Sequence, residues 1–285
     1  MTDVSEKKTF SQDVKKVELP AVDLRDPALY LNREISWIEF DRKVLETAQD
    51  KKVPLIDRVK FLAIFFNNLD EFYMVRVMNL QRQARSGVAP TGADQMPPAK
   101  QLSEIRKRVT GMLDVAESLW FDELRPALAK KDLRFVKYEE LTVKQKKALN
   151  RYFDEQILPI LTPQAVDAGR PFPMISNTSL NFVIELAPAA DDESSVRFAR
   201  LKCPNNLPRL LFVPNTIESD TGLTFKYGED TDKILLVEDL IGERLETLFP
   251  GYCVRNYGLF RVTRNTDGEI EEDEADDLLS AVRDY

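Results

Sequence analysis

The stretch FLAIFFNNLDEFYMVRV, residues 61–77, restricts the possible folds of this chain more than any other segment. Its apolar residues recur at helical spacing, which predicts a helix that is buried on one side. One stripe of that helix, projected at about 100° per residue, is apolar apart from a single amide. The stripe consists of Phe61, Ile64, Phe65, Asn68, Phe72 and Val75.

Asn68 lies in the middle of this aromatic face, whereas Asn67 points to the side. Burying an amide without partners costs about 1–3 kcal/mol, so Asn68 must be satisfied by another part of the protein, by water or by a ligand. Two interpretations stay open: Asn68 is an amide between two helices, or it faces a ligand. Its donor and acceptor lie side by side, which suits the edge of an adenine ring.

The first half of the chain has a helical pattern. Residues 1–28 are polar and aperiodic, which predicts a mobile N-terminal arm. Residues 29–131 contain three helical patterns, which predict an antiparallel three-helix bundle. Ser36 is the predicted N-cap of the first helix, because Glu39 follows it at capping-box spacing. The third helix is predicted to break near Pro126.

The second half, residues 132–285, has a different hydrophobic pattern. One helical pattern, TVKQKKALNRYFDEQILPIL, is followed by short apolar or alternating runs that Gly, Pro, Asn and Asp separate. The runs that predict strands are SLNFVIEL, VRFARLK, RLLFVP, KILLV and CVRNYGLFRVTR. The predicted fold class is therefore α+β with two domains, a helical bundle followed by an α+β head domain.

Composition excludes several kinds of chemistry. The chain has no histidine, which removes the commonest general base and metal ligand and any phosphohistidine on this chain. Cys203 and Cys253 have no metal-binding spacing and predict a reduced thiol pair. With no signal peptide and no apolar run of about 18 residues, the sequence predicts a cytoplasmic protein without a membrane span. No Walker motif, GxGxxG or CxxC is present.

Charge is distributed unevenly along the chain. Residues 51–150 carry 19 Lys and Arg against 12 Asp and Glu, whereas residues 217–285 carry 7 against 18. The asymmetry indicates either two solvated surfaces of opposite sign or a first half that faces a polyanion. Arg76, Arg82 and Arg85 do not project as one stripe, so we interpret them first as solvated or salt-bridged and second as residues along the path of a polyanion. The acidic run DGEIEEDEADDLL is interpreted as a solvated helix face, not a metal site.

Six stretches together resemble the N-terminal part of bacterial polyphosphate kinase, the long form that makes polyphosphate from ATP. They occur in family order between residues 29 and 279. The stretches are LYLNREISWIEFDRKVL, PLIDRVKFLAIFFNNLDEFYMVRV, ILPILTPQAVDAGRPFPMISNTSLNFVIEL, RFARLKCPNNLPRLLFVP, ILLVEDLI with LFPG, and FRVTRNTDGEIEEDEADDLL.

The resemblance implies a different role for each of the two predicted domains. Residues 29–131 would form the roof of the nucleotide site, and Asn68 matches the family asparagine that contacts adenine. Residues 132–285 would form the head domain, which takes part in a homodimer or higher oligomer within a polyphosphate kinase complex. ATP and inorganic polyphosphate are the implied substrates, and Mg²⁺ is implied in the full-length parent, whose location is cytoplasmic or peripheral to the membrane. A nucleic-acid partner is not expected from the residues themselves, because the net charge is −8 and the basic region lacks a clear basic face with interleaved aromatics.

The family's catalytic histidines lie in C-terminal domains that this sequence does not contain. We therefore expect no catalytic residue and no metal ligand in this chain, and we expect it to be inactive alone. The alternative is a non-catalytic interaction module built from a helical bundle and an α+β domain. An open reading frame that continues into the missing histidines would favour the enzyme.

Overall fold

The computed structural model describes residues 23–87, 89–90, 92–166, 173–188, 197–218 and 224–265. The predicted acidic run and most of the predicted N-terminal arm lie outside these residues. The described residues have two separate hydrophobic cores, one among helices and one in a mixed α+β region. The predicted α+β class is thereby confirmed. None of the helices in the described ranges is both long and apolar enough to cross a membrane.

Three long helices make up the first region, and two of them contain a π-helical segment. The π segments are Tyr73–Val77 and Leu119–Leu124. The α-helices are α1 (Arg33–Gln49), α2 (Leu55–Phe72), α3 (Met78–Ser86), α4 (Pro98–Ser118) and α5 (Arg125–Ala129). A 3-10 turn, Pro27–Leu29, precedes them. Each π segment joins two α-helices into one continuous helix.

The π segments change the spacing of the buried residues. Buried positions in α2 are three or four residues apart up to Phe72, but the next one, Val77, is five residues further on. The second long helix has the same five-residue step from Leu119 to Leu124. The prediction of the buried stripe was wrong at Ile64 and Val75, which are 37% and 41% exposed. The extra residue of the π turn moves the core side of the helix onto Val77.

Two predictions about the ends of helices were also wrong. The N-cap of α1 is Asn32, whose Oδ1 accepts hydrogen bonds from the backbone N–H groups of Glu34 and Ile35. Asn caps a helix at least as well as Ser, so α1 begins one turn before the predicted Ser36. The third long helix does not break at Pro126. It continues to Ala129, because the π segment just before Pro126 accommodates the missing N–H.

A buried arginine joins the three helices at one end. Arg58 is 6% exposed and donates from Nε to the Ala48 carbonyl oxygen at 2.7 Å. Its Nη2 donates to Glu123 Oε1 at 2.9 Å. Arg58 therefore connects the last turn of α1, the first turn of α2 and the second π segment.

The α+β region contains two sheets. Its strands are β1 (Arg134–Phe135), β2 (Gln164–Val166), β3 (Asn181–Pro188), β4 (Arg197–Lys202), β5 (Leu210–Pro214), β6 (Thr231–Leu236) and β7 (Tyr252–Phe260). Its helical elements are Tyr138–Glu140, α6 (Val143–Tyr152), Phe153–Ile157, Leu158–Ile160, α7 (Val237–Glu243) and Leu245–Leu248. One sheet has the order β1-β6-β5, with β1 and β6 parallel, and the other has the antiparallel order β2-β4-β3-β7.

Alternation along the strands positions the second core. In β3, Phe182, Ile184 and Leu186 are buried, and in the neighbouring β4 so are Ala199 and Leu201. Side chains two residues apart share a face of the sheet, so this face forms the core with α6 and α7. β2 and β7 are the edges of this sheet.

Candidate functional site

Asn68 lies one turn before the end of α2, at the border between the core and the surface. The neighbouring helical positions Phe65 and Phe72 are buried, whereas Ile64, one turn earlier, is 37% exposed. Asn68 itself is partly exposed. Its amide can therefore contact both another helix and a molecule outside the bundle.

The Asn68 amide binds a buried carboxyl group on α1. Asn68 Nδ2 donates to Asp41 Oδ1 at 2.8 Å. Asp41 is fully buried, and its Oδ2 makes no hydrogen bond in the structure. Burial raises the pKa of the Asp41 carboxyl to about 6, although the hydrogen bond from Asn68 acts in the opposite direction. Asp41 is thus a buried acid whose one hydrogen-bond partner in the described residues is the candidate site residue.

The two interpretations of Asn68 are compatible in this geometry. Nδ2 makes the interhelical hydrogen bond that the first interpretation requires. Oδ1 has no partner among the described residues, which leaves an acceptor for the ligand that the second requires. The role of Asn68 toward adenine stays a prediction.

Asp41 was not singled out from the sequence, although a signal for it exists. It lies three residues after Ile38 and four before Leu45, both of which are buried on α1. At helical spacing a carboxyl group between two core positions is expected to face the core. Its partner on α2 could not be predicted, because the sequence of one helix does not determine how that helix packs against another.

Aromatic residues lie one helical turn from each member of the Asp41–Asn68 pair, Trp37 before Asp41 and Phe72 after Asn68. The Trp37 ring stacks on Phe72, with centroids 4.4 Å apart and planes inclined by 11°. Phe40, which is 57% exposed, meets Trp37 edge to face. A partly exposed aromatic surface beside an amide is suited to a flat, polar-edged ring such as a nucleobase.

Asn67, the other member of the pair, has a different environment. It is exposed, and its Nδ2 donates to Glu71 Oε1 on the same helix at 3.1 Å. Asn67 thus contacts no other helix through this bond and provides a matched control for Asn68.

The arginines that follow Asn68 do not form a basic stripe. Arg76 Nη1 lies 3.1 Å from Glu34 Oε2, which agrees with its interpretation as a salt-bridged residue. Arg82 and Arg85 are exposed. These positions therefore give no direct support for a polyphosphate path along this helix.

The turn after Asn68 contacts the α+β region. Arg261 Nη2 donates to Asp70 Oδ1 at 2.6 Å, and Asn177 Nδ2 lies 2.9 Å from Met74 Sδ. The backbone N–H of Arg264 in turn donates to Asn177 Oδ1. The site helix is therefore attached to the loops at one end of β3 and β7.

A surface groove of about 560 Å³ lies between α1 and α4, away from Asn68. Five of its charged side chains pair with one another: Arg42 with Glu39 and Glu46, and Arg108 with Glu104. In the described ranges no group of three or more Asp, Glu and Cys side chains could hold a metal ion. The Asp41–Asn68 pair therefore remains the candidate site.

The two cysteines are not bonded to each other. Cys203 is buried, and burial raises the pKa of its thiol to about 11. Cys253 is exposed on β7. Both are free thiols in the structure.

Two family models match the chain. The polyphosphate kinase N-terminal domain matches residues 30–136, and the polyphosphate kinase middle domain matches residues 144–285. Together they include both structural regions described above.

Individual relatives agree with the family models. The chain is 43% identical over 262 residues to a polyphosphate kinase of Thermosynechococcus vestitus, covering 92% of the chain and 34% of the relative. It is 42% identical over 267 residues to one of Prosthecochloris aestuarii, covering 93% and 36%. The crystal structure of polyphosphate kinase from Porphyromonas gingivalis superposes with a TM-score of 0.69 at 27% identity, over 88% of this chain and 37% of that one. The chain thus spans about a third of the length of these relatives.

Proposed function

Because the chain belongs to the polyphosphate kinase family, we propose that it positions ATP in an enzyme that transfers the terminal phosphate of ATP to inorganic polyphosphate. The chain comprises the N-terminal and middle domains of that family. The proposed task of the N-terminal domain is to bind the adenine ring through Asn68. The observation that carries this proposal is the Asn68 amide, which is partly exposed and has an unpaired acceptor in the described structure.

The proposed contribution of this part is orientation. Holding the base fixes the direction in which the triphosphate extends, and fixed orientation lowers the entropic part of the barrier to phosphoryl transfer. The chain has no histidine, so the proposed phosphohistidine forms on the remaining part of the full-length enzyme.

Magnesium is implied by the family. In the described ranges no group of three or more Asp, Glu and Cys side chains could hold a metal ion, and Mg²⁺ at nucleotide sites is usually held by one or two carboxylates together with the phosphates. When bound, Mg²⁺ neutralises phosphate charge during transfer. We propose that the residues that would hold Mg²⁺ lie in the remaining part of the full-length enzyme.

The first test is Asn68→Ala in a full-length enzyme that carries this chain. We expect KM for ATP to rise about threefold to tenfold, because one or two hydrogen bonds to the base are lost. The variant should also lose about 1–3 kcal/mol of stability at neutral pH, because Asp41 loses its one hydrogen bond. Steady-state kinetics and thermal melting measure the two effects separately.

Asn67→Ala is the matched control for this experiment. The Asn67 side chain is exposed and contacts Glu71 of the same helix, so KM and melting temperature should both stay near wild-type values. An Asn68→Ala enzyme with the wild-type KM for ATP would show that Asn68 does not bind the base.

We also propose that the head domain carries a surface for self-association. β7 is an edge of its sheet in the described structure, and Tyr257 and Leu259 on it are 42% and 45% exposed. An exposed edge strand offers unpaired backbone groups and apolar side chains to a second copy. The homodimer implied by the family would use this edge.

Light scattering across a concentration series tests the proposed association. We expect the mass to rise toward that of a dimer, and Leu259→Lys should shift the transition to higher concentration because it puts a charge on the edge. Lys226→Glu, at an exposed position outside β7, changes charge as a control and should not shift the transition. A wild-type chain that stays monomeric at every accessible concentration would contradict the proposal.

A further inference from the structure

Asp41 contributes little to the stability of the fold, although its carboxyl group is buried in the helical core. Its carboxyl group is fully buried, Oδ2 makes no hydrogen bond, and Oδ1 accepts one, from Asn68 Nδ2 at 2.8 Å. A buried carboxylate with a single partner does not recover the cost of leaving water. The structure therefore offers no stabilising reason for an acid at this place, and its one contact points to Asn68.

A carboxylate imposes a direction on the amide that it contacts. An ionised carboxylate only accepts hydrogen bonds, whereas an amide has a donating nitrogen and an accepting oxygen. Rotating the Asn68 amide by half a turn would bring Oδ1 against Asp41 Oδ1 and replace a charge-assisted hydrogen bond by a contact between two acceptors. Asp41 therefore holds Nδ2 toward α1 and leaves Oδ1 and the second Nδ2 hydrogen for a ligand.

That fixed direction distinguishes the two purine bases. On its Watson–Crick edge, adenine presents the N6 amino donor beside the N1 acceptor, which complements an amide oxygen beside an N–H group. On that edge guanine presents the reverse pattern, the O6 carbonyl acceptor beside the N1–H donor. A fixed amide therefore matches adenine only, whereas an amide that is free to rotate can match either base.

We propose that Asp41 is a positioning residue that fixes the Asn68 amide and thereby sets the preference of the enzyme for adenine over guanine nucleotides. The inference rests on the proposed function, in which Asn68 binds the base. Asp41 itself does not touch the nucleotide, because its side chain is fully buried.

Asp41→Asn in the full-length enzyme is the decisive variant. The new amide can offer either its oxygen or its nitrogen to Asn68, so both orientations of Asn68 become available. We expect the ratio of kcat/KM for ATP to that for GTP to fall about tenfold, mainly because GTP improves. A merely structural role would change both nucleotides equally and leave this ratio unchanged. Asp41→Ala removes the acceptor altogether and should lower the ratio in the same way.

Asn68→Ala separates this inference from the proposed function. If Asn68→Ala raises KM for ATP while both Asp41 variants keep the wild-type ATP to GTP ratio, Asp41 does not set selectivity and the inference fails alone. If Asn68→Ala changes neither ATP nor GTP kinetics, Asn68 does not bind the base and both fail. A lowered ratio in the Asp41 variants, together with a raised KM in Asn68→Ala, supports both.

Discussion

Asp41→Asn is expected to make the chain more stable at pH 8, by up to about 3 kcal/mol, and to have a much smaller effect near pH 4. Burial raises the pKa of this carboxyl from 3.8 to about 6 in the folded protein. The folded state therefore binds the proton more tightly than the unfolded state does. Stability contributed by the protonated form is present below pH 4 and is lost as the pH rises toward 6. Asparagine resembles the protonated acid and does not titrate, so it avoids this loss.

Urea unfolding of the wild-type and variant chains at a series of pH values between 4 and 8 measures the effect. The stability difference should grow steadily through this range and level off above pH 7. Asn205→Asp places a carboxylate at an exposed position of the α+β region as a control, and it should show no such pH dependence. If Asp41→Asn were equally destabilising at every pH, the carboxyl would be well satisfied in the fold and the raised pKa would be wrong.

Arg58→Met should destabilise the helical domain by about 2–4 kcal/mol. Methionine keeps most of the apolar stem but removes the donors to the Ala48 carbonyl and to Glu123. Arg58 is 6% exposed, so water can replace these hydrogen bonds poorly. The carbonyl at the end of α1 is then left without this side-chain donor, and the three helices lose their shared contact.

Arg42→Met is the matched control for Arg58→Met. Arg42 also pairs with two carboxylates, Glu39 and Glu46, but its side chain is 42% exposed. Exposed ion pairs contribute little, so the melting temperature of this variant should stay close to that of the wild type. Equal losses in the two variants would show that burial does not distinguish these arginines.

The sequence was sufficient to predict which segments form helices and strands but not how those helices and strands pack against one another. The five predicted strand runs overlap β3 to β7, because alternation and turn residues are local signals. β1 and β2, with two and three residues, are too short to have such a pattern. Asn68 was identified from helical spacing and from the family resemblance, whereas its contact with Asp41 depends on the packing of α1 on α2.

The buried position that follows Phe72 could not be predicted, for a physical reason. A projection at about 100° per residue assumes an α-helix throughout. The π segment at Tyr73–Val77 adds a residue to one turn, so every position after it is rotated relative to the projection. Val77 was left out of the buried stripe for this reason, and the projected directions of Arg76, Arg82 and Arg85 carry the same error. Ile64 and Val75 have another cause, because the buried side of α2 runs through Leu62, Phe65 and Leu69 and the predicted stripe was centred beside it.

The two π segments also determine where the chain can change length. Deleting one residue between Tyr73 and Val77 would shorten the step from Phe72 to the next core residue from five positions to four, which is ordinary α-helical spacing. The same deletion in the middle of α2 or α4 would rotate half of the helix away from its core. Leu119–Leu124 has the same property in the second long helix. Single-residue insertions and deletions among relatives of this chain are therefore expected at these two turns and not in the regular parts of the helices.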